Sequence, residues 1–150
     1  MSFRLFLVVL TVIALQACKQ QKKIYTSDCA AGVKFKKVTF THLIDSVKYY
    51  DKQYIEVSGK YLEGKNISAL VNDSTFTDHE NSHSLWVNFT QDCPLYLADK
   101  HTGLFETEDG EYLQINKKLM TIRGRLELSK KGHLNTYRAT LNEVSYLELH

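Results

Sequence analysis

Hydrophobic and polar residues alternate along five segments of the chain, which is the pattern of β-strands with one buried face. These segments are residues 53–62, 67–71, 84–90, 117–129 and 137–149. In the third segment every second residue is apolar, namely Leu85, Val87 and Phe89. A short leading strand is expected at residues 33–40, a helix capped by Thr41 at 42–51, and a second short helix at 95–104.

Two of the long predicted strands carry a central glycine, in Val57-Ser58-Gly59-Lys60 and in Ile122-Arg123-Gly124-Arg125. A glycine inside a strand marks a bulge or a sharp bend, and bent long strands allow a small barrel to close. Three strands, an irregular connector and two further strands form the element order of the OB-fold. We therefore predict a mainly β domain over residues 33–150, a five-stranded OB-like barrel with one or two short helices. An open α+β sheet is the alternative.

The N-terminus has the three parts of a secretory leader. Arg4 precedes eleven apolar or neutral residues, 5–15, and Leu15-Gln16-Ala17-Cys18 follows. As a helix, eleven residues extend only about 16 Å, too short for a bilayer core of about 30 Å. The four closing residues resemble the lipobox of bacterial lipoproteins. The resemblance implies a signal peptide over residues 1–17 and lipid on Cys18, and we expect residues 18–32 to form the anchor and tether.

The resemblance also implies a compartment. Lys19 stands where many such lipoproteins carry an inner-membrane retention aspartate, so we expect an outer-membrane protein, on its periplasmic side or surface. The chain is also similar to small uncharacterised envelope lipoproteins with a central Val-x-Gly strand and a late Gly-His-Leu turn, here Gly132-His133-Leu134.

Export from the cytoplasm also affects the expected redox state of the two other cysteines. With Cys18 acylated, Cys29 and Cys93 are an even pair in an oxidising compartment, which favours a disulfide. Two separate buried thiols are the alternative.

The net charge of the chain limits the classes of partner that it is expected to bind. The formal net charge of +2 includes Arg4 of the leader, so the mature chain lacks the basic excess of nucleic-acid binders. We expect the protein to bind neither nucleic acid nor a cofactor. The expected partner is an envelope protein, a peptide or a glycan, and the lipid on Cys18 is expected to anchor the protein to the membrane.

The predicted barrel surface offers one set of ligand-binding residues. If Leu85 and Ile122 face the core, then Trp86, Asn88, Arg123 and Arg125 point outward, where an aromatic ring and guanidinium groups could hold a ligand. The alternative is that Trp86 packs under the irregular connector and that the arginines pair with Glu56, Glu106 or Glu127.

A second candidate is His79-Glu80-Asn81-Ser82-His83, which matches the zincin pattern His-Glu-x-x-His. That chemistry needs a helix that puts His79 and His83 on one face, and the flanking residues do not predict one. We therefore expect a lipid-anchored envelope binding or scaffold module without catalytic activity. A zinc-dependent hydrolase using this motif is the alternative.

Overall fold

A computed structural model describes residues 22–74, 80–98, 100–106 and 112–150, and in these residues eight strands form one sheet. The strands are β1 (Lys23–Thr26), β2 (Lys36–Lys37), β3 (Tyr54–Gly64), β4 (Ile67–Val71), β5 (Leu85–Val87), β6 (Tyr96–Leu97), β7 (Leu119–Glu127) and β8 (Ala139–Leu149). The α-helix is α1 (Phe40–Asp45), and 3₁₀ turns cover Asp28–Ala30, Val47–Tyr50, Asn81–His83 and His133–Asn135.

Five of these strands close a barrel. β3 pairs with β4, β4 with β5, β5 with β8, β8 with β7, and β7 returns to β3. The β5–β8 pair is parallel and the other four pairs are antiparallel. This closed ring confirms the mainly β, five-stranded OB-like barrel and excludes the open α+β sheet.

The barrel interior holds the residues that the alternating pattern placed there. Ile55, Leu85, Ile122, Leu126 and Leu141 have no exposed surface. The apolar side of α1 and of the turn after it joins the same core, through Phe40, Leu43, Ile44, Val47 and Tyr50. The helix therefore covers the barrel with its apolar side.

The two central glycines lie where the barrel backbone is most crowded. A Cβ at Gly59 would stand 2.6 Å from the carbonyl oxygen of Val71, and one at Gly124 2.7 Å from that of Asn142. The β7–β8 register shifts between Arg123 and Arg125, so Gly124 lies at a bulge. The predicted bulge is thus present at Gly124, whereas the β3–β7 register is continuous through Gly59 and this glycine permits close approach of the β4 backbone.

The predicted helix at residues 95–104 is wrong. Tyr96 and Leu97 form β6, Tyr96 bridges to Gly103, and the Leu104 N–H donates to the Leu95 carbonyl at 2.9 Å. The segment is thus an irregular hairpin. β1 pairs with β6 and so provides hydrogen-bond partners for its backbone. This long-range pairing replaces the helix and cannot be read from the local sequence.

The N-terminal part also departs from expectation. Residues 23–26, assigned to the tether, form β1, which pairs with β8 and buries Tyr25. The expected strand at 33–40 is reduced to β2, and the helix expected at 42–51 is α1 followed by a 3₁₀ turn. The residue before α1 is Thr39, whose side chain makes no capping hydrogen bond.

The predicted disulfide is present. Cys29 and Cys93 are bonded, with their Cα atoms 5.3 Å apart. The bond joins the 3₁₀ turn after β1 to the connector after β5, so it holds the N-terminal segment against the barrel. The predicted leader, residues 1–17, and Cys18 lie outside the described residues. Within the described part of the chain, no helix is long and apolar enough to cross a bilayer.

Candidate functional site

The four predicted ligand-binding residues lie on the outside of the barrel, on β7 and on or just after β5. Trp86 is on β5, Asn88 follows it, and Arg123 and Arg125 are on β7. β8 separates the two strands, and it pairs Thr140 with Trp86 and Asn142 with Arg125. The four side chains therefore share one outer surface without forming one cluster, and each has partners within the protein.

Trp86 packs against the loop between β7 and β8. Its ring meets Tyr137 edge-on at 5.1 Å between centroids, and Gly132 lies directly against it. Leu62, Ala69 and Val71 complete this apolar cluster. The expected alternative placed Trp86 under the irregular connector, but the β7–β8 loop covers it. The indole thus holds this loop on the β4–β5 surface, where OB-folds bind ligands.

Arg123 is held by a carboxylate and two aromatic rings. Its Nε donates to Glu56 Oε2 at 2.6 Å, and its guanidinium lies 4.2 Å from the Tyr146 ring centroid and 5.7 Å from that of Phe35. Burial, and a hydrogen bond to Glu148, raise the pKa of Tyr146. This arrangement orients the arginine along the sheet surface.

Arg125 belongs to an acidic cluster. Its Nη1 lies 3.5 Å from a Glu127 oxygen and 3.3 Å from one of Glu143. Tyr54 donates its phenol proton to Glu143, and this hydrogen bond raises the pKa of Tyr54. Glu143 itself adopts a φ of 48° at the bulge. The expected pairing of the arginines with Glu56 and Glu127 is present, whereas Glu106 accepts the Gly103 N–H instead.

Asn88 donates from Nδ2 to Oδ1 of Asn142 at 2.8 Å. Asn142 is 6% exposed, and its own Nδ2 has no hydrogen-bond partner among the described residues. Buried amides usually have partners, so this pair is an unusual feature of the outer surface of β8.

The described part of the His79–His83 motif is not α-helical. Glu80 has extended backbone (ψ 148°), and Asn81–His83 is a 3₁₀ turn. A zincin places both histidines on one α-helix, and residues 80–83 do not form an α-helix. His79 lies outside the described residues, so a metal role for His79 and His83 stays a prediction. Among the described residues, no three His, Cys, Asp or Glu side chains are grouped as metal ligands.

A cleft that the sequence did not predict lies beside the hairpin. It has a volume of about 410 Å³, and Phe89, Tyr96 and Phe105 contribute its aromatic lining. We call it the aromatic cleft. Phe89 packs edge-on between Tyr61 of the core and Phe105, with ring centroids 5.8 and 5.6 Å away. The aromatic rings thus run from the barrel interior to the surface.

The aromatic cleft keeps apolar surface open to solvent. Phe105 is 36% exposed and Tyr96 43% exposed. Thr90, Gln91 and Glu106 add polar groups to the lining. Aromatic surface with a few polar groups is the composition of small-ligand sites, and the volume falls within their range of about 300–1,000 Å³.

A larger cleft adjoins it. This cleft has a volume of about 720 Å³ and is lined by Asp28, Cys29, Asp92 and His101, among others. We call it the disulfide cleft. Tyr96 and Pro94 line both clefts, so they form the ridge between them. No local sequence signal identifies this region, because Pro94 and Gly103 stand at the two ends of the expected helix, where proline and glycine are compatible with one.

Comparison with known proteins yields no match to a family model, to a curated protein or to a solved structure. The fold assignment therefore rests on strand order and barrel closure, and the sites rest on their geometry.

Proposed function

We propose that this chain is a lipid-anchored binding module of a bacterial cell envelope and that the aromatic cleft binds a glycan. The observation that carries the proposal is the exposure of Phe105 and Tyr96 in a cleft that also holds a carboxylate, Glu106. Sugar rings present C–H groups that pack on aromatic rings and hydroxyls that bond to carboxylates and amides. Oligosaccharides are also among the ligands of OB-folds.

The anchor is proposed from Leu15-Gln16-Ala17-Cys18. β1 begins at Lys23, five residues after Cys18. Lipid on that cysteine would therefore hold the barrel close to the membrane surface, because five extended residues span at most about 18 Å. The export that lipidation requires also agrees with the disulfide between Cys29 and Cys93.

A glycan is favoured over a peptide that adds as a strand. Strand addition needs an unpaired backbone edge. In the hairpin, β6 pairs with β1 on one side, while the Leu97 N–H donates to the Thr102 carbonyl at 2.8 Å on the other. Because both edges of β6 are already hydrogen-bonded, a ligand would be recognised through side chains, as in carbohydrate sites. The adjoining disulfide cleft provides room for an extended polymer that crosses Tyr96.

Binding can be tested with the mature lipoprotein in a non-ionic detergent, against a library of envelope glycan fragments. Phe105→Ala and Tyr96→Ala should each weaken binding about tenfold, since aromatic anchors often contribute about 1.4 kcal/mol or more. Tyr49→Ala is the matched control, because Tyr49 is 80% exposed and does not line either cleft. Unchanged affinity in both cleft variants would refute the glycan site.

The anchor has a separate test. Intact-mass analysis of the membrane-derived protein should show a diacylglyceryl group on Cys18 and loss of residues 1–17, with Cys18→Ser remaining unprocessed. An unmodified Cys18 thiol in the cell-derived protein would refute lipidation.

A further inference from the structure

A basic recess lies between the β7–β8 loop and the 3₁₀ turn Val47–Tyr50. It has a volume of about 250 Å³, and the side chains that define it are Lys48, Lys131 and Arg138. Ser82 and Asn135 add neutral hydrogen-bonding groups to the lining. We propose that this basic recess binds a phosphate group. The inference goes beyond the proposed glycan site and uses none of its residues.

The charge of the recess is one-sided. The described residues of its lining include three cationic side chains and no carboxylate. Among the described residues, Lys48, Lys131 and Arg138 form no ion pair, whereas the neighbouring Lys130 lies 3.5 Å from Glu127. Three positive charges suit a phosphate monoester, which carries between one and two negative charges at pH 7. Arginine adds paired donors and lysine a compact point charge, the combination that proteins use for phosphate.

The backbone around the recess is held in place. Arg138 Nε donates to the Ile44 carbonyl at 3.2 Å, and the Tyr137 N–H donates to the Lys131 carbonyl at 3.1 Å. Leu134 and Asn135 adopt φ values of 55° and 56°. A left-handed leucine is a strained backbone conformation, and such strain is often kept at binding sites. The loop therefore presents Lys131 and Arg138 on a constrained backbone rather than on a loose one.

The position of the recess favours a phosphate on a molecule other than the anchoring lipids. Arg138 immediately precedes β8, whereas Leu149, which ends β8, pairs with Lys23 at the start of β1. The eleven residues of β8 span about 35 Å. The recess thus lies at the end of β8 remote from the predicted tether. Its volume is below that of a typical whole-ligand site, so it fits one anionic group of a larger molecule.

The test is an amide NMR titration of the mature protein in non-ionic detergent with inorganic phosphate, at low ionic strength. Saturable shifts at Lys131 and Arg138 are expected. Lys48→Gln with Lys131→Gln should weaken binding about tenfold or more, because each removes a charged donor. Lys130→Gln is the matched control, since Lys130 does not line the recess; its affinity should stay within about twofold of the unmodified protein.

Four outcomes would overturn the proposal. They are the absence of saturable shifts at millimolar phosphate, equal weakening in Lys130→Gln, equally strong binding of acetate, and binding to phosphatidylglycerol vesicles but not to free phosphate or a sugar phosphate. The last would assign the recess to lipid headgroups. Because the glycan test uses Phe105 and Tyr96, the two proposals fail independently.

Discussion

Gly132 lies so close to Trp86 that a Cβ added to the glycine would stand 2.6 Å from Cγ and Cδ2 of the indole. The glycine also has φ 62° and ψ −153°, a backbone conformation that essentially only glycine adopts. The contact closes the β7–β8 loop over Trp86 and so connects the apolar β4–β5 surface to the basic recess.

Gly132→Ala should therefore destabilise the fold by about 3 kcal/mol, since backbone strain and overpacking each cost about 1–3 kcal/mol. Urea unfolding followed by the fluorescence of Trp86, the one tryptophan of the chain, measures the loss. Gly32→Ala is the control, because Gly32 has φ 77° with no atom within 4 Å of an added Cβ. An equal loss in both variants would show that contact with the indole adds nothing to the cost.

Removal of the disulfide should lower stability by about 4 kcal/mol. The Cys29–Cys93 bond joins residues 64 apart, and in the chain-entropy model a closed loop of that length restricts the unfolded chain by about this amount. Urea unfolding of Cys29→Ala with Cys93→Ala, compared with the unmodified protein under oxidising conditions, gives the difference. Reductant should destabilise the unmodified protein and leave the double variant unchanged; sensitivity of the double variant would contradict the assignment.

Glu148 should make the fold sensitive to acid. Hydrogen bonds from Lys22 and then Tyr146 lower the pKa of this carboxyl, while burial opposes them. A carboxyl whose pKa is lower in the folded state stabilises the fold above its unfolded pKa of about 4.3 and loses that contribution as pH falls through the folded value. Glu148→Gln should therefore reduce stability at pH 7, and its difference from the unmodified protein should shrink as pH falls, as measured by urea unfolding.

The Lys22→Ala variant tests whether Lys22 is the main cause of the lowered pKa of Glu148. Lys22 Nζ lies 2.6 Å from Glu148, so its removal should raise the pKa of Glu148, as measured by carboxyl ¹³C NMR titration. Lys65→Ala, in the turn between β3 and β4, is the control for loss of a positive charge. A Glu148 pKa that does not move in Lys22→Ala would rule out the lysine as the main cause.

Arg123 and Glu56 should be energetically coupled by about 1 kcal/mol, near the upper end for exposed pairs, because Glu56 is only 15% exposed. A double-mutant cycle with Arg123→Ala and Glu56→Ala measures the coupling. The matched cycle with Lys37 should give a value close to zero, since Lys37 is 86% exposed and lies 3.7 Å from Glu56. Equal coupling in the two cycles would show that the short contact adds nothing.

The barrel could be predicted because each of its strands carries its own signal. Side chains alternate between the two faces of a strand, so the apolar phase of Ile55 and Val57, or of Leu85 and Val87, identifies the buried face locally. The same holds for Gly59 and Gly124, whose lack of a side chain marks the crowded positions. The disulfide was predicted from the assignment of Cys18 to lipid, which left Cys29 and Cys93 as an even pair.

The functional surfaces could be predicted only in part. Trp86 and Arg123 were correctly placed outside the barrel, but their partners Gly132, Tyr137 and Tyr146 come from distant segments. Tyr96 was not identified because its segment was assigned to a helix, and Phe105 lies in the irregular connector, where no periodicity marks a functional side chain. Nothing local distinguishes Lys131, which lines the recess, from Lys130, which pairs with Glu127.

By itself the sequence determined the five barrel strands and which of their faces are buried, since periodicity is a local property of the chain. Tertiary structure alone decided that β1 joins β8, that the β7–β8 loop covers Trp86, and that Lys48, Lys131 and Arg138 line one recess. The reason is physical. A binding surface depends on distances between residues far apart in sequence, and those distances exist only after the barrel has closed.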